Sequence, residues 1–144
     1  ARIGNDYSGK PLGIVAIQSN DVENYDDDSP IKMAEEVKIR KYSFPYLYDE
    51  TQNVAVNFTA ACTPDFFLFD NQHELVYRGQ LDSTRPKRIS SGVYDSSDNE
   101  PTGKDLRQAL DAVLAGEKPN ENQYPSVGCN IKWKPGGGPA SFRI

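Results

Sequence analysis

The sequence predicts an α/β fold: a mixed sheet covered by helices on both faces. Three observations point there. Short apolar runs rich in β-branched and aromatic residues alternate with stretches of helical character. Two of those runs, within Gly13–Asn20 and Asp65–Asp70, are apolar without alternation, the pattern of strands buried on both faces. The elements then follow in the order β-α-β-α-β-β-α, with a hairpin and a helix closing the series.

Gly13 to Asn20 (GIVAIQSN) is the first predicted strand, bounded by Gly-Lys-Pro before it and Asn-Asp after it. Ser29 followed by Pro30 marks a helix start, a hydroxyl cap and then a residue with φ already set. That helix should run through Ile31–Tyr42, with Ile31, Ala34, Val37 and Ile39 near one face. Phe44 to Asp49 (FPYLYD) reads as a second strand, and Glu50–Phe58 as a helix of two or three turns. Asp65–Asp70 (DFFLFD), a turn at Asn71-Gln72, and Glu74–Leu81 (ELVYRGQL) form a hairpin. Asp82–Pro101 is polar and rich in Ser, Asp and Pro, and predicts an exposed loop. Thr102–Asp105 (TGKD) resembles a capping box opening an amphipathic helix that Gly116 and Pro119 stop. Trp133 stands in a polar tail close to Cys129, which predicts that the tail docks rather than trailing in solvent. The Gly-Gly-Gly-Pro stretch beyond it should be loose.

With 144 residues the chain fits one core, divided as a domain over 1–124 and a tail over 125–144. A net charge of -5 argues against duplex nucleic acid as a partner. No apolar run is long enough to span a bilayer as a helix. Two cysteines, Cys62 and Cys129, are too few for a disulfide scaffold or a four-ligand zinc site. The single histidine, His73, sits in a turn, so neither a His-based metal cluster nor a Ser-His-Asp arrangement is expected. The acidic run Asp26–Asp28 lacks the alternation and glycine of a calcium loop and reads as solvated. No metal or cofactor is called for.

Several blocks are specific enough to carry a resemblance. IVAIQSNDVENYDDDSPIKM, FPYLYDETQ, ACTPDFFLFD, LVYRGQLD, TGKDLRQALDAVLAG and PSVGCNIKWKPG together resemble the peroxiredoxin-like redoxins. These belong to the alkyl hydroperoxide reductase/thiol-specific antioxidant group of thioredoxin-fold proteins. The resemblance runs collinearly from about Ala1 to Gly136. It implies a thioredoxin-like three-layer sandwich with a mixed central sheet. It also implies cysteine-thiolate chemistry: thiol-disulfide exchange or antioxidant peroxide reduction, with a thiol or disulfide protein as partner. Thr63 and Pro64 match the cis-proline loop, Cys62 lies beside it, and Cys129 belongs to the C-terminal block.

Two departures accompany the resemblance. The chain is expected to be truncated at its N-terminus, opening near the end of the helix that carries the family's main redox cysteine. Pro64 also stands about where typical peroxiredoxins carry a catalytic arginine. In a thioredoxin-like sheet the absent first strand would lie between the strands of Gly13–Asn20 and Asp65–Asp70. Its place is expected to be filled by a second polypeptide, by an upstream segment, or by direct pairing of those two strands, because unpaired buried backbone groups cost about 1–3 kcal/mol each.

The residues alone leave two readings of Cys62 and Cys129 open: a redox pair activated by cations among Arg78, Lys132 and Lys134, or two ordinary unpaired thiols. The matching functional alternatives are an oxidoreductase and a non-catalytic thioredoxin-fold module serving as subunit or scaffold. The expected compartment is a reducing one, the cytoplasm or an organelle stroma.

Overall fold

The computed structural model describes residues 1–85, 87–90, 93–95 and 100–139. Their contacts divide into two compact units, one formed by Ala1–Thr63 with the chain from Cys129, the other by Pro64–Gly128. Both mix helices with short strands.

The first unit opens with the helix α1 (Arg2–Asp6), then strand β1 (Ala16–Gln18), a 3-10 turn at Asp26–Asp28, and α2 (Pro30–Arg40). Strand β2 (Tyr46–Tyr48) and the short α3 (Asn53–Asn57) follow. β1 and β2 pair in parallel, Ile17 opposite Leu47, with α2 as the crossover between them. Pro30 does take the first helical position, but the Ser29 hydroxyl makes no capping bond; its carbonyl instead accepts from the Met33 N–H at 2.9 Å. Lys41 ends the helix in the left-handed region (φ 54).

The buried face of α2 is not the expected one. Met33 is buried and Val37 half-buried, whereas Ile31, Ala34 and Ile39 are exposed. Helical spacing puts Met33 and Val37 on one stripe over the aromatic residues Phe44, Tyr46 and Tyr48, and leaves Ile31 and Ile39 off it. The first strand is likewise shorter than its apolar run and not buried on both faces. Val15, Ile17 (40% exposed) and Leu47 (51% exposed) share one open face of the β1–β2 pair.

The second unit holds the antiparallel hairpin β3 (Phe66–Phe69) and β4 (Leu75–Gly79), with His73 exposed in its turn at φ 63. A second hairpin, β5 (Lys87–Ser90) with β6 (Val93–Asp95), occupies the stretch expected to be loop. Pro86, Ser91, Gly92 and Ser96–Asn99 of that stretch lie outside the described residues, as does the end of the tail from Ala140. Helix α4 (Lys104–Leu114) packs against β3 through Leu106, Ala109 and Leu110, which recur at helical spacing and are buried with Leu68 and Tyr77. The capping box does not form. Gly103 (φ 74) is the cap, and its N–H donates 2.6 Å to the Asp82 carboxylate, far back in sequence.

Among the described residues no ladder joins the strands into the expected single mixed sheet. The parallel pair β1–β2 and the antiparallel pair β3–β4 are separate two-stranded sheets.

Candidate functional site

Because β1 and β2 are parallel, their carboxyl ends share one rim of the first unit, and the residues that follow each strand meet there. Polar side chains are buried at this rim: Gln18, Asp21, Asp49 and Gln52. Each is satisfied. The Asp49 carboxylate accepts from the Ser19 hydroxyl at 2.9 Å and from the Ala55 N–H at 3.0 Å, which ties α3 to the end of β1. Asp21 accepts from the Glu23 N–H (3.1 Å) and the Asn24 amide (2.6 Å). Gln18 donates to the Asp28 carbonyl at 2.6 Å and accepts from the Asn20 N–H. Buried polar groups with complete partners fix one arrangement, since any alternative leaves a donor or acceptor orphaned.

The segment Cys129–Lys134 is laid across this rim as a strap. The Lys132 N–H donates to the Asn20 side-chain oxygen (2.9 Å), and the Lys132 carbonyl accepts from the Asp21 N–H (2.8 Å). Gln52, 3% exposed and held at φ 61, grips the strap twice. Its Nε2 donates to the Lys132 carbonyl (2.8 Å) and to the Ser19 carbonyl (2.7 Å), while its Oε1 accepts from the Lys134 N–H (2.8 Å). Ile131 is buried and Trp133 half-buried, so the tail docks as the sequence predicted.

The strap begins at Cys129, and there it pairs with Thr63. The Thr63 N–H donates to the Cys129 carbonyl at 2.8 Å and the Cys129 N–H returns to the Thr63 carbonyl at 3.2 Å. Two residues that exchange both bonds stand directly opposite, with Cα atoms about 5.5 Å apart and side chains on the same face. The Cys129 side chain therefore projects with that of Thr63. Cys62, one residue earlier, sits at a bend in the chain. Cys129 is exposed, Cys62 is 8% exposed, and neither is in a disulfide. Through the Thr63 bridge the two cysteines lie on neighbouring backbone segments.

Of the remaining expected site residues, Pro64 is exposed at the head of the second unit. Arg78 lies in that unit, with its guanidinium 3.4 Å from the Asp65 carboxylate and 5.1 Å from the Phe67 ring centre. The Lys132 ammonium donates to the Asn130 carbonyl (3.2 Å) and sits 5.7 Å over the Tyr25 ring. Neither cysteine lines the groove of about 520 Å³ between α2 and β2, whose walls include Met33, Val37, Phe44, Tyr46 and Tyr48. Among the described residues no group of three or more His, Cys, Asp or Glu side chains is placed to hold a metal ion. Nor is any described helix long and apolar enough to cross a membrane.

Gln52, Asn20 and Asp49 escaped the sequence reading. Their signal was there: QSND and DETQ each place polar residues straight after an apolar strand, where parallel sheets gather functional groups.

Two solved structures match almost the whole chain. A hypothetical protein from Sinorhizobium meliloti 1021 is 46% identical, with a TM-score of 0.84 over 93% of this chain and 68% of its own. An uncharacterized conserved protein from Geobacillus kaustophilus is 49% identical, with a TM-score of 0.83 over 94% of this chain and 67% of its own. The chain belongs to the family of these two proteins. No family model and no curated protein matches it.

Proposed function

We propose that the chain is a thiol-disulfide oxidoreductase module of the peroxiredoxin-like, thioredoxin-fold type, with Cys129 as its outward-facing thiol. The observation that carries the reading is the Thr63–Cys129 pair, which holds an exposed cysteine at fixed register one residue from a second, buried cysteine. A parallel β1-α2-β2 unit and an antiparallel hairpin followed by a helix are also the parts that such a fold combines. In the exchange step the Cys129 thiolate attacks one sulfur of a partner protein's disulfide. An S–S bond forms to Cys129, and the partner's other sulfur leaves as a thiolate that takes up the proton Cys129 lost. A second thiolate then attacks the mixed disulfide at the Cys129 sulfur and frees the partner's remaining thiolate. The partner disulfide has been reduced, and the new disulfide joins Cys129 to the resolving thiol.

A reduced peptide-disulfide assay with dithiothreitol as donor tests this. Turnover should fall about tenfold or more in Cys129→Ser, and an aryl disulfide should label Cys129 first in the native protein. Equal turnover by Cys129→Ser, or no turnover by the native chain, overturns the reading. The second reading, a non-catalytic subunit, draws on the open apolar face of Val15, Ile17 and Leu47, which another polypeptide would cover. Turnover by the isolated chain sinks it.

A further inference from the structure

We propose that the groove between α2 and β2 is a ligand site in its own right, one that takes a flat aromatic carboxylate with its rings on the aromatic floor and its acid group toward Lys38. The site is independent of the thiol reading, since neither cysteine lines it. Its volume of about 520 Å³ is in the range that accepts a small organic molecule.

The parallel unit makes the shape. Because α2 is the crossover between β1 and β2, it runs back along the face of the pair, and Met33 and Val37 form one wall of the groove. The strand alternates, so Tyr46 and Tyr48 share the α2 side and are half-buried, whereas Leu47 takes the open side. With Phe44 these two tyrosines make the floor. The floor is braced from behind by Tyr42, whose ring stacks on Phe44 with centres 5.0 Å apart and meets Tyr46 edge-on at 5.8 Å. Rings that already hold one another lose little freedom when a further ring is laid against them.

Charge then names the ligand. Lys38 is the one charged residue lining the groove, and among the described residues it has no ion-pair partner. The two carboxylates that act on the floor lie outside the lining and are already engaged. Glu36 accepts from the Tyr42 hydroxyl at 3.1 Å, and Asp28 accepts from the Asn20 amide at 3.0 Å. Burial, with the charges of Glu36 and Asp28 added, pushes the Tyr46 phenol up to about 12. Tyr46 is therefore a neutral surface at physiological pH, suited to an uncharged ring. The same two carboxylates disfavour an anion placed over Tyr46 and favour one placed toward Lys38, whose flexible stem lets the ammonium follow it. An aromatic body with a single acid group satisfies both ends.

Calorimetric titration of the full chain with naphthalene carboxylate tests this, beside two probes that each lack one feature. Naphthalene carboxamide keeps the rings without the charge, and the fully saturated decalin carboxylate keeps the charge without the aromatic face. The native chain should bind naphthalene carboxylate with a dissociation constant of about 1 mM or tighter, as expected for a ligand of that size. Each of the other probes should bind about threefold more weakly or worse. Lys38→Met, a change at an exposed side chain, should weaken naphthalene carboxylate by about threefold to fivefold and leave the carboxamide unchanged. Ala34→Trp, also at an exposed position, fills the groove from its wall and should abolish binding of all three. Absence of saturable binding by the native chain overturns the proposal. So does naphthalene carboxylate binding that survives either substitution unchanged, or a saturated acid that binds as tightly as the aromatic one. None of these readouts involves a thiol, so their failure is distinguishable from failure of peptide-disulfide turnover.

Discussion

In one unit a neutral amide, Gln52, holds an extended strap; in the other an ionised carboxylate, Asp82, holds the start of a helix. Both are buried side chains that reach across the sequence to backbone groups left without local partners. The strap has too little ladder of its own, and α4 has a glycine where a capping side chain would stand. The two side chains differ in what they can offer. The Gln52 amide donates twice and accepts once, so it can bind both polarities of an extended chain. Asp82 only accepts: from the Thr84 N–H (2.9 Å) and hydroxyl, from the Gly103 N–H (2.6 Å) and from the Thr102 hydroxyl (3.5 Å). An extended strap needs the first kind of group and a helix N-terminus the second.

The largest effect should come from Asp82. Asp82→Ala leaves the Gly103 and Thr84 N–H groups unpartnered in a buried place, and unfolding free energy should drop by about 2–3 kcal/mol in urea titration. A drop no larger than that of an exposed Asp27→Ala control would break the comparison. Acid sharpens it. Burial pushes the Asp82 carboxyl upward, but the hydrogen bonds from Thr84, Gly103 and Thr102 outweigh it and hold the group below its usual range. The folded value is thus lower than the unfolded one. Its contribution is complete above about pH 3.9 and is lost as pH falls through the folded value. The stability gap between the native protein and Asp82→Asn should therefore close below about pH 4, whereas the neutral Gln52 grip adds no such slope.

Alkali tests the two units together. Burial, aided by the charge of Glu36, raises the Tyr46 phenol to about 12; burial, aided by Asp105, does the same for Tyr77. Folding favours the neutral phenol in both. That stability is complete below about pH 10 and lost as pH climbs toward 12. Tyr77 also donates 2.5 Å to the Gln80 carbonyl, so Tyr77→Phe should cost about 1 kcal/mol near neutrality and remove part of the alkaline slope. Phenolate absorbance that titrates fully by pH 10.5 would contradict both assignments.

What was legible in the sequence follows from the range of the interactions involved. Pro30 after Ser29, the turn at Asn71-Gln72 and the stop at Gly116 are local signals, and α2, the β3–β4 hairpin and the end of α4 appear where those signals put them. The tail's docking was readable from one indole in a polar stretch. The capping box failed because a carboxylate brought from Asp82 competes for the same N–H groups, and no window of sequence shows that. Ile31 and Ile39 misled for a related reason: apolar character marks a candidate face, but the packing partner selects the stripe, and here the aromatic residues of β2 chose Met33 and Val37. At the site, the cysteines and Thr63 were visible as residue types. The Thr63–Cys129 pairing, and the Gln52 grip 80 residues away in sequence from Lys132, became visible only with the bridge and the strap in place.

The smallest effect isolates the strap from the rest of the molecule. Gly138 is buried at φ 81, and a Cβ there would sit 2.9 Å from the Trp133 ring. Gly138→Ala therefore carries two penalties, the left-handed backbone and the collision with the indole, and should lower stability by only about 1 kcal/mol if the strap's end is free to shift. The same change should turn Trp133 emission to the red, because the ring must leave its seat to admit the methyl group. If Gln52 is the stronger anchor, that red shift should appear without faster amide exchange at Lys134, whose N–H donates to Gln52. A Gly138→Ala protein whose Lys134 amide exchanged as fast as that of Gln52→Ala would move control of the strap from the Gln52 grip to the indole.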